Sequence, residues 1–471
     1  MGAAAPILLI SFLSLLLPPL PSELQRAIDS ARTTPFRAAT KGGVAQPGCT
    51  RHYGSSRAQL LHAWSQRQVQ AATGGECGDR RRGHPARVTR TADESLANRH
   101  RVLDWLTEVL ALQPTCTLVF RRPGGVRGVI TANPTNLEHI MRASFDNYPK
   151  GQRFAALLHD FLGRGIFNAD GEPWRAQRKA ASYEFNTFQY AVPGFWMIKK
   201  ALNLGSERRL RESIAMVHGF ADRIIRSRRE EMSMGCEKHD LLSRFMASQG
   251  ESYTETSLRA VVISFLLAGR ETTSSALTWF FWLLSSRPDV ERRIRAEVAA
   301  VRARRAVGDL GRPGFDLDEL REMHYVHAAI TESMRLYPPV PVNFLRAEAA
   351  DVLPDGTAVG AGWFVAYNSY AMGRMEPVWG EDARAYRPER WLDPAEGTFQ
   401  PDSPFRYIAF HAGPRICLGK EMAYIQMKSI VACVLEEFEL AVDGAYRPRQ
   451  VTSLTLRMAD GLPVRVKARV N

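Results

Sequence analysis

Phe410 to Gly419 reads FHAGPRICLG, which sets one cysteine, Cys417, two residues after Arg415 and between Gly413 and Gly419. A buried structural thiol needs none of that company. Thiolate is the form of cysteine that ligates a metal, and it is favoured where positive charge and backbone N–H groups converge. The two glycines let the backbone turn tightly, and KEMAYIQMKSIVACVLEEF begins a helix just beyond, its positive dipole end toward the sulfur. Arg415 can meet an anionic group such as a propionate. A cysteine so placed suits the axial position of a haem iron, where the thiolate pushes electron density toward bound oxygen. The plain alternative is a small buried hydrophobe, the usual fate of a lone cysteine. Five fixed positions weigh against it: at ordinary residue frequencies, Phe-x-x-Gly-x-Arg-x-Cys-x-Gly arises by chance in such a chain on the order of one time in ten thousand. A cysteine-protease nucleophile would want a histidine partner and a different local setting.

A second stretch could carry chemistry. No proline lies between Thr254 and Ser286, and Arg287-Pro288 supplies a stop. Such a helix would run about 50 Å at ~1.5 Å per residue, enough to cross a domain. Its centre, FLLAGRETTSSALTWFFWLL, is apolar on most sides and predicts a buried helix. Yet Gly269, Glu271, Thr272 and Thr273 sit in its middle, where a glycine costs ~1 kcal/mol and buried polar groups need partners. A threonine hydroxyl bonded back to the preceding turn is the structural alternative there.

Together these segments resemble the cytochrome P-450 family. By that likeness Cys417 is the proximal haem ligand, Phe410 packs beside the sulfur, and Gly413 and Arg415 belong to the haem loop, with Arg415 on a propionate. AGRETT, Ala268 to Thr273, is similar to the family's oxygen-activating motif. ESMR gives Glu332 and Arg335 and PERW gives Arg390, resembling the ion-pair triad that braces the haem loop. WRAQR gives Trp174 and Arg178, similar to the pair that donates to a haem propionate. Alone, Glu-x-x-Arg means little, since it recurs at Glu23/Arg26, Glu172/Arg175 and Glu381/Arg384, where an exposed ion pair is the default. Order and spacing make the set specific. The resemblance implies a mainly α fold with small β-sheets and haem b as cofactor. It also implies that one atom of O2 is inserted into a C–H bond, with electrons from a membrane-bound NADPH reductase carrying flavins. Small Ala268 and Gly269 would leave room for dioxygen, and Thr272 and Glu271 would order water and relay protons. Arg406, Lys420 and Lys428 are candidate basic contacts for the reductase, against the commoner reading of solvated charge.

The elements that must position these residues read unevenly. With 471 residues a sizeable core is available. The formal charge of +13 is concentrated: Glu23 to Ser95 carries 12 basic and 6 acidic residues, and no nucleic-acid-reading pattern accompanies it. The six cysteines, Cys49, Cys77, Cys116, Cys236, Cys417 and Cys433, are far apart and form neither a disulfide framework nor a zinc site. Residues 1–22 carry no charge, and Ile7 to Leu17 is nearly all aliphatic, an expected amino-terminal membrane anchor. Arg26, Arg32, Arg37 and Lys41 follow it, which places the main body on the cytosolic face of the endoplasmic reticulum. Residues 23–95 show no lasting periodicity and predict disorder or sequence foreign to the fold. The catalytic domain is expected over residues 96–471. It opens on a hairpin around Pro123-Gly124-Gly125, has turn and strand in VLPDGTAVGAGWFVAYN, and closes on a hairpin across Asp460-Gly461.

LGRGIFNADGEPWRAQRKAASYEFNT, AGRETTSSALTWFFWLL and FHAGPRICLGKEMAYIQMKSIV narrow the likeness to plant fatty-acid omega-hydroxylases and jasmonoyl-isoleucine hydroxylases. Both substrates join an apolar chain to a carboxylate, so the pocket needs a greasy tunnel with a polar entrance. Phe154, Leu157, Leu158, Leu162 and Phe167 are candidate wall residues, or equally core. The sequence departs from the family between the Trp174 helix and the central helix, where SYEFNTFQ runs almost directly into YAVPGFW and helices roofing the cavity are expected to be missing. A roofless cavity would flood and leak activated oxygen to peroxide, so a haem-binding or non-folding relic stands as the second reading.

Overall fold

A computed structural model of the protein describes residues 98–121, 126–152, 206–235, 241–247, 254–305, 314–452 and 455–469, together with 155, 159, 162–163, 166–167 and 169–171. The anchor, residues 23–95, the Pro123 turn, Phe154, Leu157, Leu158, Trp174 and Arg178 lie outside the described residues.

Helix α1 (Val102–Ala111) precedes the antiparallel pair β1 (Thr117–Arg121) and β2 (Arg127–Thr131), in register from Thr117 opposite Thr131 to Arg121 opposite Arg127. The Thr117 and Thr131 hydroxyls meet at 2.9 Å, and the buried Asn136 amide donates to both. Asn136 lies in α2 (Pro134–Glu138), which starts where the Asn133 side chain accepts from Thr135 N–H and Pro134 takes the first turn, and which continues as a single π turn over His139–Ala143. Five helices follow: α3 (Ser206–Ser233), α4 (Leu241–Ala247), α5 (Glu255–Leu284), α6 (Pro288–Ala303) and α7 (Leu317–Glu322). Asp316 and Glu319 form a capping box at the start of α7. Then come α8 (His324–Leu336), β3 (Asn343–Arg346), β4 (Asp351–Val352), β5 (Ala358–Val359) and β6 (Phe364–Tyr367). Two short helices, α9 (Ser369–Met372) and α10 (Glu376–Trp379), lead to α11 (Lys420–Glu437) and the strands β7 (Phe438–Val442), β8 (Gln450–Thr452), β9 (Leu456–Met458) and β10 (Val464–Ala468).

Helices dominate and the sheets are small, the largest running β1-β2-β6-β3 with only β2 and β6 parallel. The central helix forms within a residue or two of the expected bounds. Thr254 caps it by accepting from Ser257 N–H at 3.2 Å, and it ends before Arg287-Pro288. Ala268, Thr273, Ser275, Ala276, Leu277, Trp279 and Phe280 are buried along it while Leu266 is exposed, and Ser275 and Trp279 both donate to the Leu456 carbonyl, tying α5 to β9. Trp279 also stacks on Tyr337, with centroids 4.3 Å apart. The closing hairpin is corrected. Asp460 and Gly461 do turn with positive φ, 63° and 73°, yet the strands beside them find other partners: β9 pairs with β8 and β10 with β7. The Asp-Gly signal reports the local bend; β10 instead joins the strand that emerges directly from α11.

Candidate haem-thiolate site

The chain between Ile408 and Gly419 folds against the first turn of α11 and forms one side of a cavity of about 1010 Å³, its open mouth included. Cys417 N–H donates to the Phe410 carbonyl at 2.8 Å, closing the loop upon itself and leaving the sulfur half-buried on the cavity wall. Two residues make the sharp turn possible with left-handed backbone, His411 and Gly413, each at φ 63°. Only glycine serves at position 413, because a Cβ there would stand 2.1 Å from the Met141 carbonyl oxygen in the π turn. Gly419 is the N-cap of α11 without a side-chain cap bond, so the helix's unsatisfied N–H groups begin two residues past the sulfur. Phe410 lines the cavity and packs its ring on Tyr424, with centroids 5.2 Å apart.

The wall contributed by α5 carries Ala268, Thr272, Thr273 and Ala276, one helical stripe. Thr272 Oγ1 donates to the Ala268 carbonyl at 2.7 Å. That is the back-bonded state; it spends the hydroxyl proton and leaves the oxygen lone pairs able to accept. Gly269 and Glu271 are not among the lining residues, and a Cβ at Gly269 would meet nothing within 4 Å. Packing therefore does not force the glycine. Phe167 lines the cavity, whereas Leu162 is buried in the core that joins α3, α4 and α5.

Positive charge gathers at the rim. Arg415, 8% exposed, donates to Asp170 at 2.6 Å and to the Ala169 carbonyl at 3.3 Å. Lys150 is equally buried and lines the same cavity. Burial, and then the Arg415 charge, pull its pKa down to about 7, with Asp170 acting in the opposite sense. Tyr367 Oη, wholly buried and felt by the Arg415 charge, has no hydrogen-bond partner among the described residues. One half-buried sulfur, mostly apolar walls and buried cations at one rim fit a flat macrocycle with an iron centre and carboxylate tails. The residues present therefore suit haem: Cys417 as axial ligand and Arg415 as a propionate partner.

Behind the loop, the expected triad is assembled. Glu332 and Arg335 are almost completely buried and pair in bidentate fashion at 2.7 and 2.8 Å. Arg335 also donates to the carbonyls of Ala383 and Ala385. Arg390 reaches Glu332 at 3.5 Å and holds Asp382 at 2.9 Å. Two donors that sequence reasoning missed complete the Glu332 carboxylate, the Arg387 N–H at 3.0 Å and the Trp391 indole at 2.8 Å. Trp391 adjoins Arg390 in PERW, the one signal that could have found it.

Lys150 and Asp170 were also missed. Asp170 lies in NADGEPW, four residues before Trp174, but nothing local announces that it meets Arg415. The basic contacts need one correction. Lys428 is 5% exposed and donates to the Leu320 carbonyl, and burial lowers its pKa to about 8, so its amine faces the interior and is not presented to a partner. Arg406 is held by the Val378 carbonyl, the Asp402 carboxylate and the Trp379 ring, yet its side chain is 41% exposed and stays accessible. Lys420, half-buried, also remains.

With this geometry in view, residues 184–459, more than half of the chain, match the family model described as Cytochrome P450. This chain belongs to the cytochrome P450 family. It is 44% identical over 459 residues to Cytochrome P450 CYP94D108 of Paris polyphylla, covering 79% of this chain and 90% of that one. It is 39% identical to Cytochrome P450 94B1 of Arabidopsis thaliana and 37% to Cytochrome P450 94A2 of Vicia sativa, in each case over 79% of this chain and 88% of the relative. The P450 group read from the sequence is thus the one matched, and haem, dioxygen and electrons from a redox partner come with the family. Since 79% of 471 residues is fewer than 459, the first alignment crosses gaps in this chain.

Proposed function

We propose that this P450 hydroxylates an aliphatic carboxylic acid, either a fatty acid at or near its methyl end or jasmonoyl-isoleucine, with haem b as prosthetic group and electrons from an NADPH-dependent flavoprotein reductase. The observation that carries the reading is that Cys417 shares one largely apolar cavity with Ala268 and Thr272. Haem held by Cys417 supplies the oxidising power for the net reaction, in which substrate, O2, two electrons and two protons give alcohol and water. The chain's own residues do the rest. Ala268 keeps the α5 wall low where a small molecule must sit. Thr272 Oγ1, its proton committed to the Ala268 carbonyl, accepts a hydrogen bond from a cavity water and so holds a proton donor in place. Phe167 and Val340 line the cavity with apolar surface that excludes further water.

The apolar run Ile7 to Leu17, followed by arginines, supports attachment to the endoplasmic reticulum with the main body on the cytosolic side, where a membrane-bound reductase could reach it. No described helix is long and apolar enough to cross a membrane. The test is spectroscopic first. Reduced protein under carbon monoxide should show the red-shifted Soret band of thiolate ligation, and Cys417→Ser should lose both that band and all turnover. With reductase and NADPH, a substrate panel should yield hydroxylated fatty acid or hydroxylated jasmonoyl-isoleucine; reaction only with polycyclic or phenolic compounds would overturn the assignment.

One observation favours a second reading, a catalytically impaired relic. The alignment with the Paris polyphylla relative runs over 459 positions but covers 79% of this chain, so this chain lacks residues that the relative has, and the sequence expectation puts such a loss between Trp174 and α5. Sequencing the transcript across Asn186 to Pro193 decides it: a message that encodes further helices removes the relic reading.

A further inference from the structure

The cysteine loop rests on Met141, and what fixes Met141 belongs to none of the recognised motifs. Met141 lies in the π turn His139–Ala143, which Ser144 N–H closes by donating to the His139 carbonyl at 2.8 Å. A π turn is an isolated departure from α geometry, so contacts outside the helix must keep it. The His139 ring supplies them. Its Nε2 lies 2.8 Å from a carboxylate oxygen of Asp351 on β4, 212 residues later, and 3.1 Å from Ser144 Oγ. A carboxylate only accepts, so this nitrogen carries the ring proton and the Ser144 oxygen accepts from it as well. The bond to Ser144 repeats, between side chains, the five-residue span of the backbone bond. The same Asp351 oxygen accepts from the Tyr148 hydroxyl at 2.8 Å. Burial acts to raise the Asp351 pKa, but the bonds from His139 and Tyr148 outweigh it and leave the carboxyl below its ordinary value. The turn is thus tied at its start, just past its end, and to a strand from a distant part of the chain.

Met141 sits between those ties. A Cβ on Gly413 would stand 2.1 Å from the Met141 carbonyl oxygen and 3.4 Å from the Met141 Cβ, so the loop is in contact with the turn. From Gly413 the path to the sulfur is short and stiff: Ile416 N–H donates to the Gly413 carbonyl at 3.0 Å, and Cys417 N–H to the Phe410 carbonyl at 2.8 Å. Phe405, Ile408 and Ala412, which lead into the loop, share one buried core with Met141. Relaxation of the turn toward α geometry would re-aim the carbonyl on which the loop is seated. Resting on the haem-thiolate reading of the site, we propose that His139 is a positioning residue for the Cys417 sulfur: through Asp351 and Ser144 it holds the π turn, and the turn's Met141 carbonyl sets how far the cysteine loop stands into the cavity. A tie that only fastened α2 to the small sheets would affect stability and leave the surroundings of the sulfur as they are.

That difference can be measured on the full chain. In the haem-free protein, alkylation of each cysteine by iodoacetamide is followed peptide by peptide. His139→Ala should speed the labelling of Cys417 by about threefold to tenfold, the scale of one or two lost hydrogen bonds, while Cys433, buried in α11, stays as in wild type. In the haem-loaded protein, reduced under carbon monoxide well below its unfolding transition, the same change should move part of the red-shifted Soret band to the position seen when thiolate is protonated or lost. His139→Gln, whose amide nitrogen can donate to Asp351 from nearly the same place, should recover most of both signals, and Asp351→Ala should match His139→Ala. Should His139→Ala fail to fold, Tyr148→Phe removes one donor to Asp351 and should shift both signals in the same direction by less. A lowered thermal midpoint with Cys417 labelling and the Soret band unchanged would overturn the proposal, as would equal acceleration at Cys417 and Cys433. A wild-type chain that never shows the red-shifted band would instead sink the haem-thiolate reading, and this inference with it.

Discussion

Glu332 and Thr272 are both polar side chains on buried helices that back or line the same cavity, and they are satisfied in opposite ways. Glu332 on α8 receives both arms of Arg335, the Trp391 indole, the Arg387 N–H and, more distantly, Arg390. Its partners come from two segments, so the carboxylate holds tertiary structure together. Among the described residues, Thr272 on α5 bonds only within its own turn. The side that seats the sulfur is thus a fixed scaffold. The side that would meet oxygen and substrate keeps its hydroxyl locally quiet and open to whatever enters. A ligand that must not move and a proton path that must respond call for these two kinds of wall.

Removing each group in turn should separate the two kinds. Glu332→Ala leaves Arg335 buried without its partner, a change that costs about 3–5 kcal/mol. The expected outcome is little or no haem-loaded protein, read as lost Soret absorbance and a collapsed thermal transition. A Glu332→Ala protein as stable as wild type would end the contrast. Thr272→Ala should leave the thermal midpoint nearly unchanged, since alanine suits a helix interior at least as well. Hydrogen peroxide per NADPH consumed should rise severalfold at the expense of hydroxylated product, and Thr272→Ser should keep much of the coupling. Unchanged coupling would remove Thr272 from proton delivery.

The smallest effect concerns His327 on α8, sandwiched between Phe399 and Tyr424 with both centroids 3.9 Å away. Burial first, then Lys428 and other nearby cations, lower its pKa to about 3. Between about 3 and the ordinary 6.5 the unfolded chain binds a proton that the folded chain refuses, so stability falls as pH drops through that window. His327→Phe should flatten that part of the slope in thermal unfolding measured from pH 6.5 to pH 4. An unaltered slope would show that the scaffold side does not depend on a neutral imidazole.

What the sequence disclosed follows from how local each feature is. The Cys417 loop, the α5 stripe and the Glu332/Arg335 pair each lie within about ten residues, where types and spacing fix geometry. The Asp460-Gly461 bend was legible for the same reason, but its strands were not, because pairing is chosen by distant chain. Lys428 read as surface charge because a periodic helix conceals which side its neighbours cover. Lys150 and Asp170 could not be read at all as partners of Arg415; only folding makes them neighbours.

The close approach of Gly413 to the Met141 carbonyl has a consequence for biosynthesis. The depth of the cysteine loop is gauged against a turn that is translated well before the loop itself. No nascent fragment can present the sulfur at its proper height. Iron must therefore be captured by a finished polypeptide, and any truncation upstream of Cys417 yields a product that waits for a metal it has no means to hold.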